Sequence, residues 1–275
     1  MKKIGTIAMG CIMSSLIIST SSFSRAEICF ADSFNGSSFV ETRQEIINYA
    51  YKVETETYIP SSVPKYSETT NTPNNCANVA GATLIGYYDK IYDELIPNFT
   101  AGRTIRGVYI FNAQTAAIQE VIDDLYVRMA TNTTGNGTTA NNCRSGLRSY
   151  INSKGKNVTY TSIVSSGTID YSLYDGAVAN ETPMILFVLG YTLLSLGDFD
   201  VSETQDVLNM SLYAGAHTVI AYGRKNIKYY NASNQLIKEE NFLRVATGYS
   251  TTALGYIMVD GPIGDFIEGN IVTVS

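Results

Sequence analysis

The sequence predicts an α+β fold in which helices come first and an antiparallel sheet follows. Two observations support this order. Apolar residues in the first half recur at helical spacing, and those in the second half alternate with a period of two. The chain has 275 residues, 45% of them hydrophobic, so it can bury a substantial core. We expect one main domain at residues 67–275, preceded by two shorter segments.

The first segment, residues 1–31, has the pattern of a bacterial secretory signal peptide. Two lysines precede an apolar stretch, and small-residue cleavage patterns end at Ala26 and Ala31. The stretch is too short and too rich in serine and threonine for a membrane-spanning helix. We therefore expect a protein secreted to the cell surface or beyond, with cleavage after Ala26 or Ala31 and no membrane contact afterwards.

The second segment, residues 32–66, is predicted to contain a helix. The apolar positions of residues 40–55 suit an amphipathic helix on one flank of the domain. Residues 58–75 follow with three prolines among serine, threonine and asparagine, which indicates an extended loop. The sequence leaves open whether residues 32–66 belong to the fold or form a short pro-segment that is removed.

Three more helices are predicted in the first half of the main domain. A run of small and apolar residues begins at Cys76 and is typical of a helix buried on most sides. Asn74 or Asn75 is the expected N-cap, which places Cys76 in the first turn. Residues 114–129 have the pattern of an amphipathic helix, and residues 144–153 that of a short helix.

The second half is predicted to form the strands of the sheet, because its apolar residues alternate with polar ones between turn signals. The predicted strands span residues 158–164, 184–189, 217–222, 227–230, 243–247 and 256–259. Residues 232–235 are the expected turn of a hairpin that pairs residues 226–230 with residues 236–240.

The charge balance argues against a nucleic-acid partner. Nineteen Lys and Arg against 25 Asp and Glu give a net charge of -6, and no basic cluster is present. The single histidine, His217, excludes a metal site built from several histidines. Chemistry that needs an imidazole therefore has one candidate, and the sequence implies neither a metal nor an organic cofactor.

Few cysteines remain once the signal peptide is removed. Cleavage removes Cys11 and, if it follows Ala31, Cys29 as well, which leaves Cys76 and Cys143. An exported protein held together by disulfides usually keeps a denser, even set of cysteines. We therefore expect a functional thiol, and a bridge between Cys76 and Cys143 is the structural alternative.

Cys76 and His217 together have the features of a nucleophile and its base. Cys76 follows a loop and opens a helix, where unpaired amides and the helix dipole favour the thiolate. His217 follows 141 residues later on a predicted strand among small residues. Each residue alone is more commonly a core residue, but papain uses a similar separation of roughly 130 to 150 residues. The joint pattern predicts thiol catalysis, with the sulfur about 3 to 4.5 Å from a ring nitrogen.

Several blocks of the sequence resemble secreted bacterial papain-like cysteine peptidases of the C39-like kind. The blocks read NNCANVAGA, GYYD, GAHTVIAYG, FLRVATGY and GYI, and they lie within about residues 58–260. The resemblance implies a papain-like fold, in which helices carrying the nucleophile pack against an antiparallel sheet carrying the histidine. It also implies cleavage of a peptide or protein substrate through a thioester, with Cys76 as nucleophile and His217 as general base and acid. We expect the chain to act as a monomer.

The sequence departs from this family at the residue that orients the imidazole. In papain-like enzymes an Asn or Asp precedes a small-aromatic pair, and the matching stretch here begins with Thr247. A threonine hydroxyl can accept a ring N–H bond but carries no charge to stabilise imidazolium. Thr247 is our assignment, with Asn231, Asn234 and Asp260 as alternatives.

A second departure concerns the oxyanion hole. The glutamine expected about six residues before the nucleophile supplies a side-chain N–H to the developing oxyanion. Thr70 stands at that position, and Asn71 lies beside it. We assign Asn71 and the backbone amide of Cys76 to the oxyanion hole, with an ordinary loop asparagine as the alternative.

Two other functions stay open at this point. Cys143 also follows two asparagines and opens a predicted helix, 74 residues before His217. That spacing is closer to cell-wall amidases of the NlpC or CHAP type, although their flanking pattern is absent. The second possibility is a catalytically inactive papain-like module that binds peptides or surface ligands, which the uncharged Thr247 favours.

Overall fold

The computed structural model describes residues 29–30, 39–69, 72–133, 135–197 and 202–275. The predicted signal peptide and the Asn71 assignment concern residues outside these ranges, apart from the pair at 29–30. Within the described residues, four helices and a large antiparallel sheet form an α+β fold, as the sequence predicted.

Three of the four helices lie where the sequence placed them. The fourth, together with a small hairpin at residues 102–111, was not predicted. No helix in the described part of the chain has the length and apolarity needed to cross a membrane. The helices are α1 (Cys76–Asp89), α2 (Ala116–Arg128), α3 (Ala140–Ser153) and α4 (Tyr171–Ala179).

Fourteen strands accompany these helices in the described ranges. Six of them form three small two-stranded sheets, β1 with β6, β4 with β5 and β8 with β9, and the other eight form the main sheet. The strands are β1 (Cys29–Phe30), β2 (Phe39–Asn48), β3 (Tyr51–Tyr58), β4 (Gly102–Ile105), β5 (Val108–Phe111), β6 (Thr138–Thr139), β7 (Val158–Ser162), β8 (Val164–Ser165), β9 (Thr168–Ile169), β10 (Met184–Ser195), β11 (Gln205–Tyr230), β12 (Leu236–Ala246), β13 (Leu254–Met258) and β14 (Asp265–Val274).

The long strand β11 organises the main sheet. The order is β2-β11-β12-β13-β10-β14-β7, with β3 also paired to β11. An additional pairing of β10 with β11 closes β10, β11, β12 and β13 into a ring. The predicted hairpin is confirmed, because residue Ile227 pairs with Glu240 and Tyr230 with Leu236 around the turn at residues 232–235.

The predicted helix at residues 40–55 is wrong, because this segment forms β2 and β3. Both strands run antiparallel to β11, where Asn48 pairs with Gln205 and Tyr51 with Tyr230. Burial alternates only at the end of β2, where Ile47 is buried while its neighbour Ile46 is 55% exposed. The backbone bonds that β11 offers outweigh the weak helical periodicity of this segment.

Helix α1 is the most buried element of the fold. All 14 of its residues are buried, as its small residues predicted. It packs in one apolar cluster with α2, α3 and the face of the sheet that carries Phe187 and Tyr222. At Gly86 a Cβ atom would lie 2.6 Å from the Tyr66 hydroxyl, so only glycine allows this approach. Close packing on all sides fixes the position of the helix start, where Cys76 lies.

The first strand bears on the processing of the N-terminus. Strand β1 pairs with β6, Cys29 opposite Thr139 and Phe30 opposite Thr138. Cleavage after Ala31 would remove β1, whereas cleavage after Ala26 would retain it. The two predicted cleavage positions therefore differ in whether the mature chain keeps this pairing.

Candidate active site

Cys76 is the first residue of α1, and the loop before it is held in place by side-chain hydrogen bonds. Asn132 is the centre of this network. It accepts a bond from Asn74 Nδ2 at 3.0 Å and donates to the Pro73 carbonyl at 3.2 Å and to the Tyr126 hydroxyl at 2.6 Å. Asn132 adopts a φ of 61°, a backbone conformation that asparagine tolerates better than most residues. The network fixes the path by which the chain enters α1.

Of the two predicted N-cap residues, Asn74 and Asn75, the structure places Asn75 at the N-cap, but its side chain makes no capping bond. Asn75 is 1% exposed, and neither polar atom of its side chain has a hydrogen-bond partner among the described residues. A buried amide without partners costs free energy unless another molecule supplies them. The side-chain amide of Asn75, which the sequence predicts only as a cap, is thus available for hydrogen bonding directly beside Cys76.

His217 lies within β11, opposite Val188 of β10, and is fully buried. Its Nε2 atom lies 2.7 Å from the backbone carbonyl oxygen of Thr247. A carbonyl oxygen can only accept, so Nε2 carries the proton of the neutral ring. Nδ1 is therefore the ring nitrogen that can take a proton from another group.

Thr247 thus meets the imidazole, but through a different atom from the one predicted. The backbone carbonyl, not the hydroxyl, bonds the ring. The Thr247 hydroxyl instead accepts from the Tyr249 amide at 3.0 Å and donates to the Thr252 carbonyl at 2.5 Å. The position of Thr247 in the family pattern predicts the residue, but the sequence does not reveal which of its oxygens faces the ring.

The sulfur of Cys76 and a ring nitrogen of His217 lie within 4.8 Å of each other, and a carboxylate oxygen of Glu68 lies within the same distance of both. All three side chains are buried. The structure therefore brings together the two residues that the sequence paired across 141 positions. It also adds Glu68, whose backbone amide donates to the Gly248 carbonyl at 2.8 Å.

Sequence reasoning missed Glu68 because it lies in a proline-rich loop, where an acidic residue is usually exposed. The family pattern points instead to positions 70 and 71 for a polar side chain beside the nucleophile. The available signal was weak: Glu68 is a lone acid among serine and threonine, eight residues before Cys76. Only the folding of this loop against residue 248 shows that Glu68 faces the site.

Aromatic rings pack beside the imidazole. The Tyr249 ring lies nearly parallel to that of His217, with centroids 4.8 Å apart, and the Tyr191 ring lies 5.4 Å from it at 22°. Tyr191 also hydrogen-bonds Tyr249 through their hydroxyls. The strand β10 has a register shift at Gly190, whose φ is 65°, just before Tyr191. This bulge, which favours glycine, sets the direction of the tyrosine.

Cys143 has a different environment. It is the fourth residue of α3, which begins earlier than predicted because the Thr139 hydroxyl accepts a capping bond from the Asn142 amide at 3.1 Å. Burial among apolar side chains raises the pKa of the Cys143 thiol to about 12. Cys143 is a free thiol, so the alternative bridge to Cys76 is absent.

Comparisons with known proteins identify no relative. No family model matches the chain, and no curated protein or solved structure matches it significantly.

Proposed function

We propose that this chain is a secreted, papain-like cysteine peptidase that hydrolyses peptide bonds. The observation that carries the proposal is the approach of the Cys76 sulfur to His217, whose Nε2 proton is fixed on the Thr247 carbonyl. A thiol needs a neighbouring base to become a nucleophile, and the base needs a partner that fixes its tautomer. Both conditions are met at this site.

The proposed reaction uses one proton shuttle. His217 Nδ1 takes the proton of the Cys76 thiol, and the thiolate sulfur forms a bond to the peptide carbonyl carbon. Collapse of the tetrahedral intermediate breaks the C–N bond, and the imidazolium returns the proton to the leaving amine. The remaining thioester is cleaved by a water molecule that gives its proton to the same nitrogen, which frees the acid product and the thiol.

The oxyanion of the intermediate needs hydrogen-bond donors. The Cys76 backbone amide belongs to the first turn of α1, where helical amides have no partner within the helix. The buried amide of Asn75 is the second donor that we propose, because it adjoins the sulfur-bearing residue and bonds nothing in the described structure. It takes the role that the sequence had given to Asn71. One such donor is typically worth about 100 to 1000-fold in rate.

Burial favours a second candidate function, a catalytically inactive papain-like module that binds ligands. Cys76 is 1% exposed and His217 is fully buried. A peptide reaches the sulfur only after the surrounding segments move. In the inactive alternative these segments do not move, and the buried side chains of Glu68, Cys76 and His217 only stabilise the fold.

Peptidase activity of purified variants tests the proposal. We expect the wild-type protein to cleave a denatured protein substrate, and Cys76→Ala and His217→Ala to abolish cleavage. Cys143→Ala is the matched control and should retain most activity, because its thiol lies in the apolar core. Equal loss from both cysteine variants, or no cleavage and no reaction of Cys76 with iodoacetamide, would favour the inactive module.

A further inference from the structure

We propose that Glu68, Cys76 and His217 form a binding site for a zinc ion, which holds the thiol in an unreactive state. The three ligand atoms lie within 4.8 Å of one another. Zinc binds thiolate, imidazole and carboxylate at bond lengths of about 2.0 to 2.3 Å, so its tetrahedral ligands lie about 3.3 to 3.8 Å apart. Shifts of about 1.5 Å or less would close the three side chains onto an ion.

The donor set selects zinc over other common ions. Magnesium and calcium prefer oxygen ligands alone, and a mixed sulfur, nitrogen and oxygen set suits a borderline ion such as zinc. Three protein ligands leave the fourth tetrahedral position to water, as in zinc sites that are open to exchange. A reversible ion fits this arrangement better than a permanently enclosed one.

Charge balance supports the same conclusion. A thiolate and a carboxylate contribute two negative charges, and a neutral imidazole contributes none. A divalent cation makes the assembly neutral, which matters because all three side chains are buried. Without the ion, an ionised Cys76 would stand beside the Glu68 carboxylate in the same buried space.

The hydrogen bond from His217 to Thr247 prepares the ring for a metal. Histidines that ligate metals usually donate their other ring N–H to a carboxylate, carbonyl or water, which fixes the tautomer. His217 donates Nε2–H to the Thr247 carbonyl at 2.7 Å, which leaves Nδ1 as the ligand atom. The loop that carries Glu68 is held beside this hydrogen bond. The Glu68 backbone amide donates to the carbonyl of Gly248, the residue that follows Thr247.

Zinc binding would compete directly with catalysis. The Cys76 thiol releases its proton to solvent as the sulfur–zinc bond forms, and Nδ1 gives its lone pair to the same ion. The sulfur can then no longer attack a carbonyl carbon, and the ring can no longer take a proton. In this respect the inference adds regulation to the function proposed above, although the metal site itself needs only the geometry of the cluster.

Cobalt substitution tests the site without measuring activity. Reduced full-length protein stripped with a chelator is titrated with Co²⁺, which gives a thiolate charge-transfer band when sulfur is a ligand. We expect one equivalent to bind, Zn²⁺ to displace it, and the band to disappear in Cys76→Ala and His217→Ala. Cys143→Ala should keep the band. A wild-type protein with no saturable band would overturn the inference.

Glu68→Gln separates this site from a simple Cys-His pair. The amide is nearly isosteric but a poor zinc ligand, so we expect the affinity for Co²⁺ and Zn²⁺ to fall by about tenfold or more. Glu94→Gln, which changes a carboxylate on Lys156, is the control and should bind like wild type. Unchanged affinity in Glu68→Gln would contradict the three-ligand site. Iodoacetamide should still label Cys76 and spare Cys143 in Glu68→Gln, which shows that the variant is folded and its Cys76 thiol intact.

The two proposals fail in different ways. If the protein binds Co²⁺ through Cys76 but cleaves no substrate, the metal site is supported and the peptidase function is contradicted. If the protein cleaves substrate through Cys76 but gives no thiolate band with Co²⁺, the peptidase function is supported and the metal site is contradicted.

Discussion

Cys76 and Cys143 are two buried thiols with nearly the same sequence context and different surroundings. Each follows a pair of asparagines, and each lies in the first turn of a helix that packs in the same apolar cluster. Cys76 opens α1 beside an imidazole and a carboxylate. Cys143 is the fourth residue of α3, where desolvation raises the pKa of its thiol to about 12.

The comparison shows that a helix start and an asparagine pair do not by themselves place a thiol beside an imidazole and a carboxylate. Burial penalises a thiolate wherever no opposite charge or proton acceptor is near. At Cys143 the positive charge of Arg144 only partly offsets that penalty. At Cys76 the neighbouring β11 places the imidazole of His217 within 4.8 Å of the sulfur, so a strand far away in the sequence decides the surroundings of this thiol.

The largest expected difference is the rate of alkylation. At pH 7.5, a thiol with a pKa of about 12 is ionised in roughly one molecule in 10⁴ to 10⁵, and only the thiolate reacts. We expect iodoacetamide to label Cys76 in folded protein at least about 10³-fold faster than Cys143. Peptide mass spectrometry after timed labelling measures the ratio. Both cysteines should label alike in guanidinium chloride, and preferential labelling of Cys143 in folded protein would reverse the comparison.

The next effect is a loss of stability at alkaline pH caused by Cys143. Its pKa is 9.0 as a reference and about 12 in the fold, so its contribution is complete below pH 9 and is lost as the pH rises towards 12. The free energy of unfolding should fall by about 1.4 kcal/mol per pH unit in that window from this group alone.

Urea unfolding of wild type and Cys143→Ala at pH 8 to 11 isolates this term. Buried tyrosines such as Tyr174, whose pKa is also raised by desolvation, are common to both proteins. The variant should start about 1 kcal/mol less stable because of the cavity, and its stability should fall less steeply above pH 9. If the free energies of unfolding of the two proteins fall in parallel with pH, burial does not raise the pKa of the Cys143 thiol.

A smaller effect is expected from the loop that leads into Cys76. Asn132→Ala removes the bonds to residues 73, 74 and 126 and places alanine at a positive φ. We expect a loss of about 1 to 3 kcal/mol in stability and about tenfold in kcat/KM, because the sulfur is held less firmly. Asn141→Ala, in the exposed residue that precedes Cys143 by two, is the control and should change neither. Equal effects would mean that the Asn132 network does not position Cys76.

The smallest effect concerns the hydroxyl of Thr247. Thr247→Val keeps the carbonyl that bonds His217 and removes only the bonds to Tyr249 and Thr252. We expect a decrease in kcat/KM of about two- to tenfold with an unchanged pH profile, since the ring tautomer is preserved. Thr247→Asn should not raise the rate, because its new amide does not replace the carbonyl. An increase in Thr247→Asn would show that a side chain, not the backbone, orients the ring.

The sequence determined more of the sheet than of the N-terminal segment. Residues 226–240 place short segments with apolar residues on both sides of a turn, and the structure confirms that hairpin. Residues 40–55 carry little intrinsic preference, and their conformation was decided by β11, which is more than 150 residues away. Helical periodicity in so short a window is weak evidence when a distant strand offers backbone bonds.

By itself the sequence determined the α+β class, the buried character of the Cys76 helix and the pairing of one cysteine with the only histidine. These depend on composition, local periodicity and the scarcity of imidazole, which a single chain displays directly. The predicted order, helices first and sheet afterwards, is wrong, because β2 and β3 of the main sheet precede α1 and α4 lies between strands. Tertiary structure alone decided that Glu68 faces the sulfur, that the Thr247 carbonyl bonds the ring and that Cys143 is enclosed by apolar side chains. The physical reason is that loop paths and side-chain burial arise from contacts between distant segments, and local sequence does not encode which atoms those contacts bring together.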